Sequence, residues 1–238
     1  MASPDLSPRE RLIVALDVST AADARRLVSQ LGGTVSTFKV GKQLFTATGP
    51  DMVRELTRAG HGVFLDLKFH DIPHTVEMAV REAAALHVKM LTVHASGGSR
   101  MLRAALRAAS AAATPPLVLG VTVLTSMNDA DVAEVFDHPL TDQVLRLADL
   151  ALSCGCGGIV TSAREAQSLR RELGTGFAIV TPGIRPMGAD VGDQARIVTP
   201  ADAMRAGVSH IVVGRPITGA PKPAEAAQAI LEELASVL

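Results

Sequence analysis

A repeated alternation of short apolar runs with helical patterns constrains the fold of this chain more than any other feature. Eight runs of three to seven residues have the length and composition of buried strands, and stretches of helical spacing lie between them. Eight strand-then-helix units in 238 residues predict the α/β class, as a (β/α)8 TIM barrel in a single domain over residues 1–238. The predicted strands are 12–16, 37–40, 63–67, 90–93, 117–123, 158–161, 178–181 and 211–213. The predicted helices are 21–31, 52–59, 75–87, 99–112, 141–153, 163–173, 201–206 and 223–237, with Thr20, Ser99, Ser162 and Pro200 as helix starts.

An open, doubly wound sheet is the alternative architecture for the same alternation. Sheets of that kind that bind dinucleotides carry G-x-G-x-x-G after the first strand, and the sequence has no such motif there. No linker, low-complexity tract or change in composition divides the chain, so one barrel is the preferred interpretation.

The composition limits the kinds of molecule that this chain is expected to bind. The formal net charge is -1, which gives no electrostatic reason to expect nucleic acid or a membrane surface. Trp and Tyr are absent, so a bound base would be held mainly by hydrogen bonds and aliphatic contacts. No apolar run approaches the ~18 residues of a membrane-spanning helix, and residues 1–11 lack the apolar core of a signal peptide. With Cys154 and Cys156 interpreted as buried thiols, a cytoplasmic location is expected.

Polar residues follow at least six of the predicted strands. In a (β/α)8 barrel the carboxyl ends of all strands meet at one face, and that face carries the chemistry. Packing alone does not require charged groups there, so their convergence predicts a functional site. The residues at or just beyond these strand ends are Asp17, Lys39, Asp66, Lys68, His94, Thr125, Ser126, Arg185, Gly214 and Arg215.

The densest cluster of charge is Asp66-x-Lys68-x-x-Asp71 at the end of the third strand. Side chains alternate along a strand, so Asp66 and Lys68 are expected on the same face. A lysine between two acids can place a proton and negative charge around one reacting carbon. Lys39 on the neighbouring strand completes an alternating set of two cations and two anions, which is a preorganised electrostatic site. The alternative is an ion-pair network without a catalytic role.

Two further features predict a phosphate site beside this cluster. Gly214 and Arg215 follow the eighth strand, where barrels often bind phosphate and where an arginine adds a bidentate cation. Residues 181–199 form a long loop rich in Gly and Pro that carries Arg185 and Gln194, and a closing lid is the preferred interpretation. An ordinary exposed arginine and a disordered loop are the alternatives. His70, Asp71 and His74 resemble metal ligands in spacing, but Pro73 interrupts a continuous helix and no metal is predicted.

Taken together, these motifs resemble the signature of the orotidine 5'-phosphate decarboxylase family. The resemblance extends across nearly the whole chain, and the order and spacing of the motifs make it specific. The matching segments are Ala15-Leu16-Asp17, Phe38-Lys39-Val40-Gly41, Asp66-x-Lys68-x-x-Asp71-Ile72-Pro73, Val93-His94-Ala95, Leu124-Thr125-Ser126, Thr181-Pro182-Gly183-Ile184-Arg185, Gly192-Asp193-Gln194 and Val213-Gly214-Arg215-Pro216-Ile217.

The resemblance implies conversion of orotidine 5'-monophosphate to UMP and CO2, without metal or organic cofactor. By position it implies that Lys68 donates the proton to C6, that Asp66 and Asp71 flank the departing carboxylate, and that Lys39 holds the network and touches the ribose. It also implies substrate binding by the ribose contact Asp17, the pyrimidine contact Thr125, and the phosphate contacts Arg185, Gln194, Gly214 and Arg215. Finally, it implies a homodimer in which Asp71 and Thr75 enter the partner's site.

Two other functions compete with this one. Sugar-phosphate members of the same barrel group, such as 3-keto-gulonate phosphate decarboxylases and hexulose phosphate synthases, share D-x-K-x-x-D but need magnesium. Ile72-Pro73, the Thr125 motif and Gln194 favour the nucleotide function. A non-catalytic module that binds nucleotide phosphates is the second alternative, and the lysine between two carboxylates argues against it.

Overall fold

Eight parallel strands close into a barrel in the order β1-β2-β3-β4-β5-β6-β7-β8, with β8 paired to β1. The computed structural model describes residues 6–186 and 198–238. The predicted (β/α)8 barrel is confirmed, and every strand end lies within two residues of its expected position. The strands are β1 Leu12–Ala15, β2 Thr37–Gly41, β3 Gly62–Phe69, β4 Met90–His94, β5 Leu117–Val121, β6 Gly158–Val160, β7 Ala178–Thr181 and β8 His210–Val213.

All eight predicted helices are present, also to within two residues at each end. The described residues contain four short helices that the sequence analysis did not predict, because four to seven residues are too few to show a helical period. No described helix has both the length and the apolar character needed to span a bilayer. The helices are α1 Pro8–Arg11, α2 Ala21–Leu31, α3 Lys42–Thr48, α4 Asp51–Arg58, α5 Pro73–Ala85, α6 Gly98–Ser110, α7 Asp129–Ala133, α8 Leu140–Cys154, α9 Ala163–Leu173, α10 Pro200–Arg205, α11 Arg215–Thr218 and α12 Pro223–Ala235.

Hydroxyl side chains determine where several helices begin. Thr20 and Ser162 accept hydrogen bonds from backbone N–H groups of α2 and α9, as N-cap residues do. Thr199 caps α10 in the same way, so Pro200 is the first residue inside that helix rather than its cap. The predicted start at Ser99 was wrong: α6 begins at Gly98, after a short 3-10 turn.

Alternation along the strands builds two apolar layers. In β1, Ile13 and Ala15 belong to the cluster inside the barrel, while Leu12 and Val14 pack outward against the helices. The inner cluster fills the barrel interior as far as its C-terminal end. Charged side chains are thereby excluded from the barrel centre and collect at its mouth.

Candidate active site

A cavity of about 420 Å³ opens at the C-terminal mouth of the barrel. Its floor is the top of the inner apolar layer, including Phe64, Val121 and Val212. The polar residues predicted from six different strands surround that floor, which confirms their convergence on one rim. Those lining the cavity are Asp17, Lys39, Asp66, Lys68, Thr125, Arg185, Gly214 and Arg215.

The ammonium of Lys68 lies against both oxygens of Asp66. Lys68 Nζ is 2.7 Å from Asp66 Oδ1 and 2.8 Å from Oδ2. The lysine side chain is 23% exposed and the aspartate 13%, so the pair is partly screened from water while still facing the cavity. The two groups therefore share a face, as expected from the sequence, but a different backbone geometry brings them together.

A bulge in β3 produces that geometry. Leu65 pairs with Leu91 of β4, and pairing resumes only at Phe69 with Val93, so Asp66 to Lys68 lie opposite a single residue. Lys68 has a φ of 53°, in the left-handed region that a residue with a long side chain rarely adopts. Such a conformation costs on the order of 1–3 kcal/mol and persists only where the surroundings enforce it.

Thr92 is the residue opposite the bulge, and its hydroxyl bonds to both members of the pair. Thr92 Oγ1 accepts from the Lys68 backbone N–H at 2.9 Å and donates to Asp66 Oδ1 at 3.0 Å. The residue is completely buried in β4. Sequence reasoning missed it, although a hydroxyl inside the apolar run Met-Leu-Thr-Val is the signal that could have drawn attention to it.

A second ion pair lies beside the first, on β2 and just beyond the end of the neighbouring strand β1. Lys39 Nζ contacts Asp17 Oδ1 at 2.7 Å, with the lysine side chain 11% exposed and the aspartate 54% exposed. Gly41 makes room for this pair, since a Cβ built there would lie 2.8 Å from Lys39 Nζ. Within one chain, the predicted array of Lys39, Asp66, Lys68 and Asp71 is therefore not assembled: Lys68 pairs with Asp66, whereas Lys39 pairs with Asp17.

Asp71 and Thr75 lie outside this cavity. Both are exposed and neither lines it; the Asp71 carboxylate accepts a hydrogen bond from the N–H of Ile72 at 2.6 Å. Ile72 beside them is 66% exposed, which is unusual for a large apolar side chain. The loop after β3 therefore presents an acid, a hydroxyl and an apolar group on the outside of the chain.

Two arginines line the opposite side of the cavity. Arg185 follows β7 and is 7% exposed, while Arg215 begins α11 directly after Gly214 and is exposed. The predicted phosphate contacts Arg185, Gly214 and Arg215 are therefore brought together. Gln194, predicted for the same group, and most of the predicted lid lie outside the described residues.

His94 and His70 form a ring contact at the edge of the site. Their centroids are 5.3 Å apart at a tilt of 40°. Burial, together with the nearby His70, Lys68 and Lys42, lowers the pKa of His94 to about 4, so the ring is neutral at pH 7. Among the residues that the structure describes, no three His, Cys, Asp or Glu side chains gather as metal ligands, and His70, Asp71 and His74 do not form such a set.

Comparison with known proteins places this geometry in a family. The family model described as "Orotidine 5'-phosphate decarboxylase / HUMPS family" matches residues 10–230. The orotidine 5'-phosphate decarboxylase of Syntrophotalea carbinolica is 50% identical over 236 residues, covering 97% of each chain. That of Vibrio campbellii is 50% identical over 230 residues, covering 96% of this chain and 99% of the relative. The crystal structure of the Lactobacillus acidophilus enzyme of that name superposes with a TM-score of 0.83 at 40% identity, covering 94% and 98%.

Proposed function

The chain belongs to the orotidine 5'-phosphate decarboxylase / HUMPS family, and on that premise we propose that it converts orotidine 5'-monophosphate to UMP and CO2. This is the carboxy-lyase step of de novo pyrimidine biosynthesis. The observation that carries the proposal is the ammonium of Lys68, held by Asp66 at the rim of a cavity whose other side carries two arginines.

Lys68 acts as the proton donor. The bond from C6 of the pyrimidine to the carboxylate breaks, CO2 leaves, and the electron pair remains at C6. A proton passes from Lys68 Nζ to C6 and gives UMP. The ammonium stabilises the negative charge that develops at C6, and such an interaction accelerates the reaction because it is stronger in the transition state than in the bound substrate.

Asp66 contributes in two ways. Its bonds to Nζ fix the direction of the ammonium, so little reorganisation is needed when charge develops. The substrate carboxylate must also lie near Asp66, and two unit charges about 4 Å apart repel by about 4 kcal/mol at an effective dielectric constant of about 20. That repulsion falls as neutral CO2 departs.

The rest of the cavity binds the parts of the substrate that do not react. Arg185, Gly214 and Arg215, which line one side of the cavity, hold the phosphate, and the two arginines contribute charge-assisted hydrogen bonds. Asp17 and Lys39 bind the ribose hydroxyls, and Thr125 hydrogen-bonds to the pyrimidine edge. Binding energy from the phosphate, far from C6, supports catalysis by positioning the reacting ring. The reaction requires neither metal nor organic cofactor.

The enzyme is a cytoplasmic homodimer in this proposal, and Asp71 and Thr75 of each chain complete the partner's site. Their exposure, their place outside the cavity of their own chain and the exposed Ile72 between them support this arrangement. Asp71 would then lie beside the departing carboxylate as the second acid of the catalytic set.

The proposal is tested by following the absorbance of orotidine 5'-monophosphate with the purified protein in excess EDTA. Decay with stoichiometric formation of UMP is the expected result. If folded protein gives no decay, the substrate assignment is wrong, and the magnesium-dependent sugar-phosphate function is tested next with the metal restored.

Substitution of Arg215 tests the phosphate assignment. Arg215→Ala should weaken binding of UMP by about 10- to 100-fold, because a charge-assisted contact is lost, and should leave uridine binding nearly unchanged. Calorimetry with both ligands measures this. Equal losses for the two ligands would contradict the assignment of Arg215 to phosphate.

Mixing two inactive variants tests the shared sites. A mixed dimer contains one Asp71→Ala chain and one Lys68→Ala chain. One of its two sites combines the intact Lys68 of the first chain with the intact Asp71 of the second, and the other site lacks both. Activity should therefore reappear on mixing, up to about a quarter of wild type for random exchange with half of the dimers mixed. No recovery, despite subunit exchange demonstrated by native mass spectrometry, would refute sharing.

A further inference from the structure

We infer that Thr92 is a positioning residue for the proposed reaction: its hydroxyl holds the Lys68 backbone and the Asp66 carboxylate in the arrangement that aims the ammonium into the cavity. The kinetic consequences of this inference rest on the proposed function. The structural consequences rest on the contacts alone. Thr92 is buried and does not line the cavity, so it acts through the pair rather than on the substrate.

The bulge creates the need for such a residue. Asp66, Leu67 and Lys68 lie opposite one position of β4, so backbone groups of the extra residues lose regular partners across the ladder. A backbone N–H that is shielded from water and unpaired is unfavourable. The Thr92 hydroxyl supplies the acceptor for Lys68 at 2.9 Å, in place of a backbone carbonyl.

The direction of both hydrogen bonds follows from chemistry. The Lys68 N–H can only donate, so Thr92 Oγ1 accepts from it. An ionised carboxylate can only accept, so the single hydroxyl proton goes to Asp66 Oδ1 at 3.0 Å. One hydroxyl therefore links the backbone of the catalytic lysine to the carboxylate that holds its side chain.

This link closes a small ring of contacts around Lys68. The path runs from the Lys68 N–H through Thr92 Oγ1 to Asp66, and from Asp66 Oδ1 and Oδ2 back to Lys68 Nζ. A left-handed residue persists only where its surroundings enforce it, and Lys68 has a φ of 53°. Thr92 is well suited to this role because its branched Cβ restricts χ1 and so fixes the position of the hydroxyl.

Removing only the hydroxyl tests the inference. Thr92→Val keeps the shape of the side chain and removes both bonds. We expect kcat to fall by about 10- to 100-fold, as for an ångström-scale misplacement of a catalytic group. The affinity for UMP, measured by calorimetry, should change by less than about 3-fold, because no ligand-binding contact is removed. Thr92→Ser keeps the hydroxyl and should restore most of kcat.

Thr122→Val is the matched control. Thr122 is also a buried threonine, following β5, and its hydroxyl bonds to the carbonyl of Val160 at 3.1 Å. The same chemical change there should leave kcat within about 3-fold of wild type. Equal kcat values for the two valine variants, or a serine variant no faster than Thr92→Val, would overturn the inference. If Thr92→Val does not fold, Thr92→Ser and Thr92→Ala replace it in the comparison. Both variants lack the methyl group of threonine, and they differ only in the hydroxyl.

Crystal structures of the Thr92 variants separate this inference from the proposed function. Without the hydroxyl, Lys68 should leave the left-handed region or Asp66 should turn away from Nζ, and the serine variant should keep both features. An unchanged Lys68 φ together with unchanged Nζ–Oδ distances in the hydroxyl-free variant would refute the positioning role. If the wild type fails to turn over orotidine 5'-monophosphate while the variants still show this loss of order, the proposed function fails and the positioning role stands.

Discussion

At the C-terminal mouth of the barrel, charged side chains bond to one another, whereas at the N-terminal end they bond to the backbone. Lys39 and Lys68 at the mouth are held by the carboxylates of Asp17 and Asp66. At the opposite end, Arg170 donates to the carbonyls of Gly207, Gly174 and Phe177 and to a serine hydroxyl. The two ends therefore hold their charged side chains in different ways, and in the proposed function only the mouth takes part in the reaction.

The acceptors explain why the two ends have different roles. A backbone carbonyl in a barrel turn cannot change direction without a change in the local backbone, so the bonds of Arg170 tie the α9–β7 turn to the α10–β8 turn. A side-chain carboxylate can rotate, and its charge responds to a second charge brought beside it. Ion pairs of side chains at the mouth can therefore take part in binding and proton transfer, while removal of Arg170 should affect stability alone.

Among the substitutions that test the difference between the two ends, removal of Lys68 should have the largest effect. Lys68→Ala should lower kcat by at least ~10³-fold, because the variant loses both the proposed proton donor and the positive charge proposed to stabilise the developing carbanion. The fold should persist, since the truncated side chain lies at the solvent-facing rim. Single-turnover assays and circular dichroism measure the two properties, and activity near that of wild type would refute the mechanism.

Arg170 should show the reverse pattern. Arg170→Met keeps an unbranched apolar stem, removes the guanidinium that lies over the ring of Phe177, and leaves carbonyls of the turns without their donor. We expect the free energy of unfolding to fall by about 3 kcal/mol, as for loss of several bonds to a charged group, with kcat unchanged. Urea unfolding measures the first quantity.

The matched control is Arg171→Met on the same helix. Arg171 is exposed, and its partners among the described residues are Glu172 and Ser168 on the same helix, so the change should cost less than about 0.5 kcal/mol. A loss of kcat in Arg170→Met at temperatures where the variant is fully folded would mean that the N-terminal end contributes to catalysis after all.

His210 should make the N-terminal end of the barrel sensitive to acid. The ring is buried at the start of β8, and burial, followed by Lys89 and Arg11, lowers its pKa to about 4. Its ordinary pKa is about 6.5, so the unfolded chain binds this proton first as the pH falls. The contribution of the neutral His210 ring to the free energy of unfolding is therefore fully present above pH 6.5. It is lost as the pH falls towards 4, by about 3 kcal/mol in total.

Unfolding of His210→Gln at pH 7 and at pH 4.5 checks this prediction. The variant should lose less stability between the two pH values than the wild type does, by about 2–3 kcal/mol. His138→Gln, at an exposed histidine, should keep the wild-type dependence on pH. An identical pH dependence for wild type and His210→Gln would show that this histidine does not set the acid limit.

Periodicity was sufficient to predict the barrel but not the local geometry of β3, the strand that carries Asp66 and Lys68. The alternation of apolar strands with helices predicts the eight strands. Because the carboxyl ends of all eight strands lie at the same face of a barrel, it also predicts the polar rim. Alternation also placed Asp66 and Lys68 together, but it assumed a regular strand. The bulge, the left-handed Lys68 and its bond to Thr92 depend on pairing with β4, and no local pattern in β3 encodes that contact.

The smallest predicted effect isolates the geometry of the second ion pair. Gly41→Ala should lower kcat/KM by about 10-fold, because the added methyl would lie 2.8 Å from Lys39 Nζ and 3.2 Å from Asp17 Oδ1. Gly41 has a φ of -94°, which alanine adopts freely, so the effect is steric rather than a backbone strain. Gly33→Ala is the control, since a Cβ there meets no atom within 4 Å. If the two variants have the same kcat/KM, the close fit around Lys39 is not needed for activity. Activity would then depend on the charge of Lys39 rather than on the position of its ammonium.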